Sequence, residues 1–268
     1  MSRVTLVATD LDGTLLDRET YSFAPARPAL DALREAGIPL VLCSSKTRAE
    51  MERLAGEIGT PGPLVVENGG AIVEPDGCLL VLGVARDRLR RELPAVAREV
   101  GLRVRSFAEM SVTEVATLTG LPAEQAALAV RREYDEPFVV EDASGPDPDV
   151  DARLDRAARA RGLRITHGGR VHHLSGPADK GRALRAIAGR MAGGAEGDVV
   201  GLGDAANDLS LLLAATRPIV MPRRDGTLDP ALAAHLPGVE RAPGPGPAGW
   251  SAAVLAVLSG GSLPRVGG

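Results

Sequence analysis

Near its start the chain runs Val4-Thr-Leu-Val-Ala-Thr-Asp10-Leu-Asp12-Gly-Thr14, and no other stretch limits the fold as tightly. A short continuous apolar run rich in β-branched residues is the pattern of a strand buried on both faces, as in the middle of a parallel sheet. Open parallel sheets bind ligands beyond the carboxyl ends of their strands, where Asp10 and Asp12 would stand. Two carboxylates so close repel each other, and burying them without partners is costly. A hard divalent cation with oxygen ligands answers that repulsion. Asp and Gly are also ordinary turn residues, so a capped strand-to-helix turn is the plainer reading of the same stretch.

Further along, the pattern repeats. Helical spacing over 26–36 ends at Gly37, and an apolar run over 38–43 reads as a second buried strand. Ser44-Ser-Lys46-Thr47 follows, with Thr47 and Glu50 spaced as a capping box for a helix over 48–58. A third strand over 64–66 leads into Glu67-Asn68-Gly69-Gly70, and Pro75-Asp-Gly77 sits between two short apolar runs as a hairpin signal. Alternating strand and helix is the order of a doubly wound α/β sheet.

From residue 83 the texture changes. Helices are expected over 86–100, 111–118, 123–133 and 149–161, with strands over 102–107, 137–141, 163–166 and 170–174. Ser144-Gly-Pro-Asp-Pro148 reads as a loop. The α/β pattern resumes with Asp179-Lys180-Gly181 and a helix over 182–191. A buried strand over 198–202 then ends in Gly203-Asp204-Ala-Ala-Asn207-Asp208, ahead of a helix over 209–215. A final strand over 218–221, a Pro/Gly loop over 242–249 and a helix over 250–258 complete the chain. The expected architecture is a doubly wound parallel sheet from residues 1–82 and 176–268, with a smaller α+β domain inserted over 83–175.

Composition narrows the class. The net charge of −4 and pI near 5.7 argue against nucleic acid or an anionic membrane as partner. Cys43 and Cys78 make no disulfide framework, and Cys43, in an apolar run, reads as a small core residue. With no signal-like start and no apolar run near the ~20 residues a bilayer needs, a cytoplasmic protein is expected. Only Lys46 and Lys180 are lysines among the 31 basic residues, so each invites scrutiny.

Four loops thus fall at the carboxyl ends of parallel strands: 10–14, 44–47, 67–70 and 203–208. Their contents suit phosphoryl transfer. One carboxylate can attack phosphorus, a second can move the leaving-group proton, and hydroxyls and a lysine can hold the phosphoryl oxygens. In order and content they resemble the haloacid dehalogenase superfamily of phosphohydrolases. The resemblance implies that Asp10 is the nucleophile and Asp12 the general acid/base. It gives Ser44 to the phosphoryl group and makes Lys180 the catalytic lysine of the third motif. It gives magnesium to Asp10, Asp204, Asp208 and Asp12, the last through its main-chain carbonyl. The insertion would be the cap of that superfamily.

A finer resemblance, carried by residues 41–50, 65–72 and 168–174, is to mannosyl-3-phosphoglycerate phosphatases. It implies a small phosphorylated glycoside as substrate and a monomer or homodimer. Lys46 and Arg170 then suit the carboxylate or phosphate, and Glu67 and Asn68 the sugar hydroxyls. Gly69 allows a close backbone approach, and Asn207 completes the binding set. Ala205 and Val171-His172 depart from the common pattern of that family. His172 and His173 alternate along a strand, one toward a core and one toward solvent or substrate.

Three other readings share the sequence. Gly201-Leu-Gly203-Asp204-Ala-Ala206 matches a loosened dinucleotide fingerprint, which would make the chain a dinucleotide-dependent dehydrogenase, although Asp204 would repel a pyrophosphate. A magnesium-dependent binding module would keep the acids without turnover. A broad sugar-phosphate phosphatase would keep the chemistry with less selectivity.

Overall fold

The computed structural model describes residues 3–141, 148–168, 171–191 and 197–266. Six strands lie parallel at the centre: β1 (Val4–Thr9), β2 (Leu40–Cys43), β3 (Leu64–Val66), β10 (Asp198–Gly203), β11 (Arg217–Val220) and β12 (Glu240–Arg241). β4 (Ala71–Val73) and β5 (Leu79–Val81) add an antiparallel hairpin at one edge, giving the order β12-β11-β10-β1-β2-β3-β4-β5. β1 is therefore central, and Val7 and Ala8 are buried on opposite faces. On one face α1 (Arg27–Glu35), α2 (Arg48–Ile58) and α10 (Gly246–Leu258) cover the sheet. On the other lie α7 (Lys180–Met191) and α8 (Leu209–Ala214). This is the doubly wound arrangement expected.

A second, four-stranded antiparallel sheet has the order β6-β7-β9-β8, from β6 (Val104–Ser106), β7 (Asp135–Val140), β8 (Arg164–Gly168) and β9 (Val171–Ser175). Phe138 and Leu174 pack one face against α3 (Arg86–Glu99) and α6 (Pro148–Arg159). Val139 and Val171 pack the other against α4 (Val112–Thr119) and α5 (Ala123–Ala129).

The departures from expectation are local. α5 stops at Ala129 instead of running to 133, because Arg132 turns away to bond Asp135 and the Ser45 carbonyl. α10 begins at Gly246, inside the expected Pro/Gly loop. Pro247 lies in the first turn, where its missing N–H has no helical partner to lose. The strand at 217–220 is not the last, since β12 follows it. α9 (Pro230–His235) was also unforeseen, although Asp229 caps it and Pro230 opens it in the usual way. The loop expected over 144–148 lies, Pro148 apart, outside the described residues.

Candidate active site

β1 ends at Thr9, and the Asp10 N–H continues the sheet by donating to the Leu202 carbonyl of β10 at 2.9 Å. The Thr9 hydroxyl donates to the Asp10 carbonyl at 2.7 Å and accepts the Trp250 indole N–H at 2.9 Å. A fully buried tryptophan of α10 thus pins the strand end that carries the first aspartate.

Lys180 is the first residue of α7 and is completely buried. Its ammonium donates to Asp10 Oδ1 and Asp208 Oδ1, at 2.6 Å each. Gly181 allows this placement. A Cβ there would lie 2.1 Å from the Ser210 carbonyl oxygen, so only glycine lets α7 begin flush against α8. Asp208 turns its other oxygen back to the N–H groups of Asp204 and Ala205, at 3.0 and 3.1 Å. Asp204 in turn accepts the Arg18 guanidinium at 2.6 Å. Carboxylate oxygens of Asp10, Asp204 and Asp208 lie within 4.8 Å of one another.

So many acids in a dry site repel. Burial, then Asp208, pushes the Asp10 carboxyl up to about 8, against the pull of Lys180. Burial and Asp208 also raise Asp204, with Arg18 opposing. Burial works against the Lys180 ammonium, but Asp10 and Asp208 outweigh it and hold Lys180 above the ordinary lysine range. The cluster has three acids for one buried lysine and one arginine reaching in from the surface. Its excess of negative charge, on hard oxygen donors, suits a divalent cation.

Asp12 faces differently. Its Oδ2 pairs with Lys46 Nζ at 2.8 Å, and its Oδ1 is buried with no partner among the described residues. The side chain is not among the three that converge; the main-chain carbonyl is the ligand that the resemblance implies for Asp12. Lys46 also lies over the Tyr21 ring, 5.3 Å from its centroid.

Ser44 is buried, and its hydroxyl accepts the Lys46 N–H at 3.2 Å. The Thr47–Glu50 capping box forms as the spacing predicts. The Asn207 side-chain amide donates to Asn68 Oδ1 at 3.3 Å, joining two of the expected binding residues. Gly69, at φ +100°, lets the Asp179 backbone pass so close that a Cβ would lie 2.3 Å from its carbonyl oxygen. Gly69→Ala is therefore expected to push Asp179 and Lys180 outward. The cost is about 2–4 kcal/mol of stability, with slowed turnover, read as a denaturation midpoint beside kcat. An unchanged midpoint would mean that the two loops are not in tight contact.

Glu67 does not present a free carboxylate. Its two oxygens accept the N–H groups of Glu133 and Tyr134, at 2.9 and 2.8 Å. Burial pushes it up to about 7 against Arg132 and those two N–H groups. Arg170 lies outside the described residues. His172 pairs with Asp151 at 2.6 Å and stacks on Phe138, on the face that packs against α3 and α6. His173, on the opposite face, pairs with Asp135 at 2.7 Å. Burial pushes the Cys43 thiol up to about 12, as befits a core residue.

The residues the sequence did not disclose are Arg18, Tyr21, Arg132 and Trp250. One arginine cannot be singled out in a chain whose 31 basic residues are nearly all arginine. A cavity of ≈ 860 Å³ lies between α3 and β6 and touches none of Asp10, Asp12, Asp204 and Asp208. A smaller cleft of ≈ 360 Å³ is walled by Gly13, Arg18, Asp204, Arg223 and Arg224, directly beside the cluster.

Residues 7–89 match the model of a haloacid dehalogenase-like hydrolase family. A protein of Methanococcoides burtonii, named glucosyl-3-phosphoglycerate/mannosyl-3-phosphoglycerate phosphatase, is 36% identical over 94% of this chain and 97% of its own. The chain belongs to the haloacid dehalogenase-like hydrolases. A protein of the same name from Persephonella marina is 35% identical over 95% of this chain and 97% of its own. A solved structure from Thermoplasma acidophilum shares the fold, with a TM-score of 0.62 at 21% identity over 84% of this chain and 87% of that one. The glycines of the dinucleotide-like stretch also find their use here: a Cβ on Gly203 would lie 2.5 Å from the Asp208 Cβ, and Asp204 belongs to the acidic cluster. No helix among the described residues is long and apolar enough to cross a membrane.

Proposed function

We propose that this hydrolase is a magnesium-dependent phosphomonoesterase acting through an aspartyl phosphate, with a glycosyl-3-phosphoglycerate as substrate. The observation that carries the chemistry is Asp10 at the end of the central strand, held by a fully buried lysine beside two further carboxylates. The names of its full-length relatives support the substrate and extend it to glucosyl as well as mannosyl compounds.

In this mechanism the Asp10 carboxylate attacks phosphorus and the bond to the glyceryl oxygen breaks. Asp12 gives that oxygen a proton, so the glycosylglycerate leaves as an alcohol. Asp12 then takes a proton from water, whose oxygen attacks phosphorus. The acyl phosphate bond breaks, which returns Asp10 and releases inorganic phosphate. Lys180 orients Asp10 throughout, and Lys46 fixes the direction of the Asp12 carboxyl. Asp10, Asp204, Asp208 and the Asp12 carbonyl would hold the cation, which when bound would offset charge on the carboxylates and phosphoryl oxygens and so favour the ionised form of Asp10 that attacks. Ser44 meets the phosphoryl group, and Lys46, Asn68, Asn207 and Arg170 serve the rest of the substrate. Residues 83–175 act as the cap, since every element of the second sheet and its covering helices falls within them.

The test is phosphate release with magnesium across mannosyl- and glucosyl-3-phosphoglycerate, 3-phosphoglycerate and hexose phosphates. The glycosyl compounds should be turned over at least about tenfold faster by kcat/KM. A chelator should abolish release, and added magnesium should restore it. Equal turnover of all compounds would discard the named substrate in favour of a broad sugar-phosphate phosphatase. No turnover would discard the phosphatase.

A further inference from the structure

The chain joins its two sheets at the linkers on either side of the second one, and it makes a third connection between them. After α5, residues 130–134 come down onto the loops at the edge of the large sheet before β7 begins. The Glu67 carboxylate meets them there, taking the N–H of Glu133 on Oε1 and that of Tyr134 on Oε2. These amides lie between a helix and a strand and would otherwise go without partners. Arg132 donates to the Ser45 carbonyl at 2.8 Å, and the Thr47 hydroxyl donates to the Leu128 carbonyl at 3.0 Å.

The core side of this contact is the catalytic edge itself. The Glu67 N–H donates to the Lys46 carbonyl and the Asn68 N–H to the Ser44 carbonyl, at 2.9 Å each. Gly69 abuts Asp179, the residue before Lys180. Glu67 holds φ at +48° and Asn68 at +56°, a left-handed pair that costs free energy unless the surroundings enforce it. A carboxylate at 3% exposure, with both oxygens taken, is out of reach of a sugar hydroxyl. Its bonds link the second unit to the loops that bear Ser44 and Lys180.

We propose that Glu67 is a positioning residue: it clasps the cap to the phosphoryl-binding loops, so that seating the cap and aligning Ser44 and Lys180 are one event. The exchange measurement below is independent of the phosphatase reading, and the kinetic measurement rests on it.

Amide hydrogen exchange in the unaltered protein should show the Glu133 and Tyr134 N–H groups protected like those of the central strands. Exchange at open-loop rates would overturn the clasp, whatever any variant does. Glu67→Gln places an NH2 against one of those donors, so protection at 133 and 134 should fall about tenfold or more. In the same variant kcat/KM for the glycosyl-phosphoglycerate should fall about tenfold further than for p-nitrophenyl phosphate, whose small leaving group makes little use of a cap. A common loss on both substrates together with a lowered melting temperature would reduce Glu67 to a structural role and sink the proposal. If the unaltered protein hydrolyses neither compound, the phosphatase reading falls while the exchange result still decides the clasp.

Discussion

Asp10→Asn is expected to abolish phosphate release, by about ten-thousand-fold or more, while leaving the protein as stable as before. The two halves of that expectation have one origin. Three buried carboxylates share one buried lysine, and the Asp10 carboxyl is raised by its burial and by Asp208. An amide of the same shape matches the neutral carboxyl that burial favours and still offers Lys180 an oxygen. Asp208 remains as the ammonium's counter-ion at 2.6 Å. The melting temperature should therefore hold or rise, with an unchanged circular dichroism spectrum, while inorganic phosphate falls to background. Catalytic groups commonly sit where they cost stability, and a nucleophilic Asp10 would be placed in that way. Surviving activity would remove Asp10 as the nucleophile and point to direct attack by water.

How much of this was legible in advance depends on how local the signal was. Asp10, Asp204 and Asp208 were legible because buried strand runs stop abruptly at acids, and parallel topology brings such stops to one edge. The start of α2 could be read from Thr47 and Glu50, a cap written within four residues. What escaped depends on contacts far apart in sequence. Trp250 holds the Thr9 hydroxyl across 241 residues, and Arg132 reaches Ser45 across 87. Glu67 was read as a sugar ligand because an acid in a glycine-rich loop fits that use. Only the fold brings Glu133 and Tyr134 against it. α10 escaped for a different reason: Gly246 and Pro247 look like loop residues, yet an N-terminal turn tolerates both.

Lys180 carries the second large effect, and it acts on stability before it acts on rate. Lys180→Met keeps most of the side-chain volume and deletes the buried cation that bridges Asp10 and Asp208. Asp10 and Asp208 are then left facing each other, and breaking a buried pair from one side costs about 3–5 kcal/mol. The sign with pH follows from Asp10. A carboxyl raised in the folded state stabilises the fold below its unfolded value of 3.8, and that contribution is lost as pH climbs through about 8. Without Lys180 the shift should be larger, so the deficit in urea denaturation should be small near pH 5 and widen toward pH 8 and above. Adding Asp208→Asn to Lys180→Met should recover a good part of the loss, because the two side chains meet directly and their effects cannot be additive. Magnesium should recover part of it too, by supplying the charge the lysine no longer brings. A deficit independent of pH, magnesium and residue 208 would mean that Lys180 matters for its packing alone. The charge balance at the end of β1 would then need another explanation.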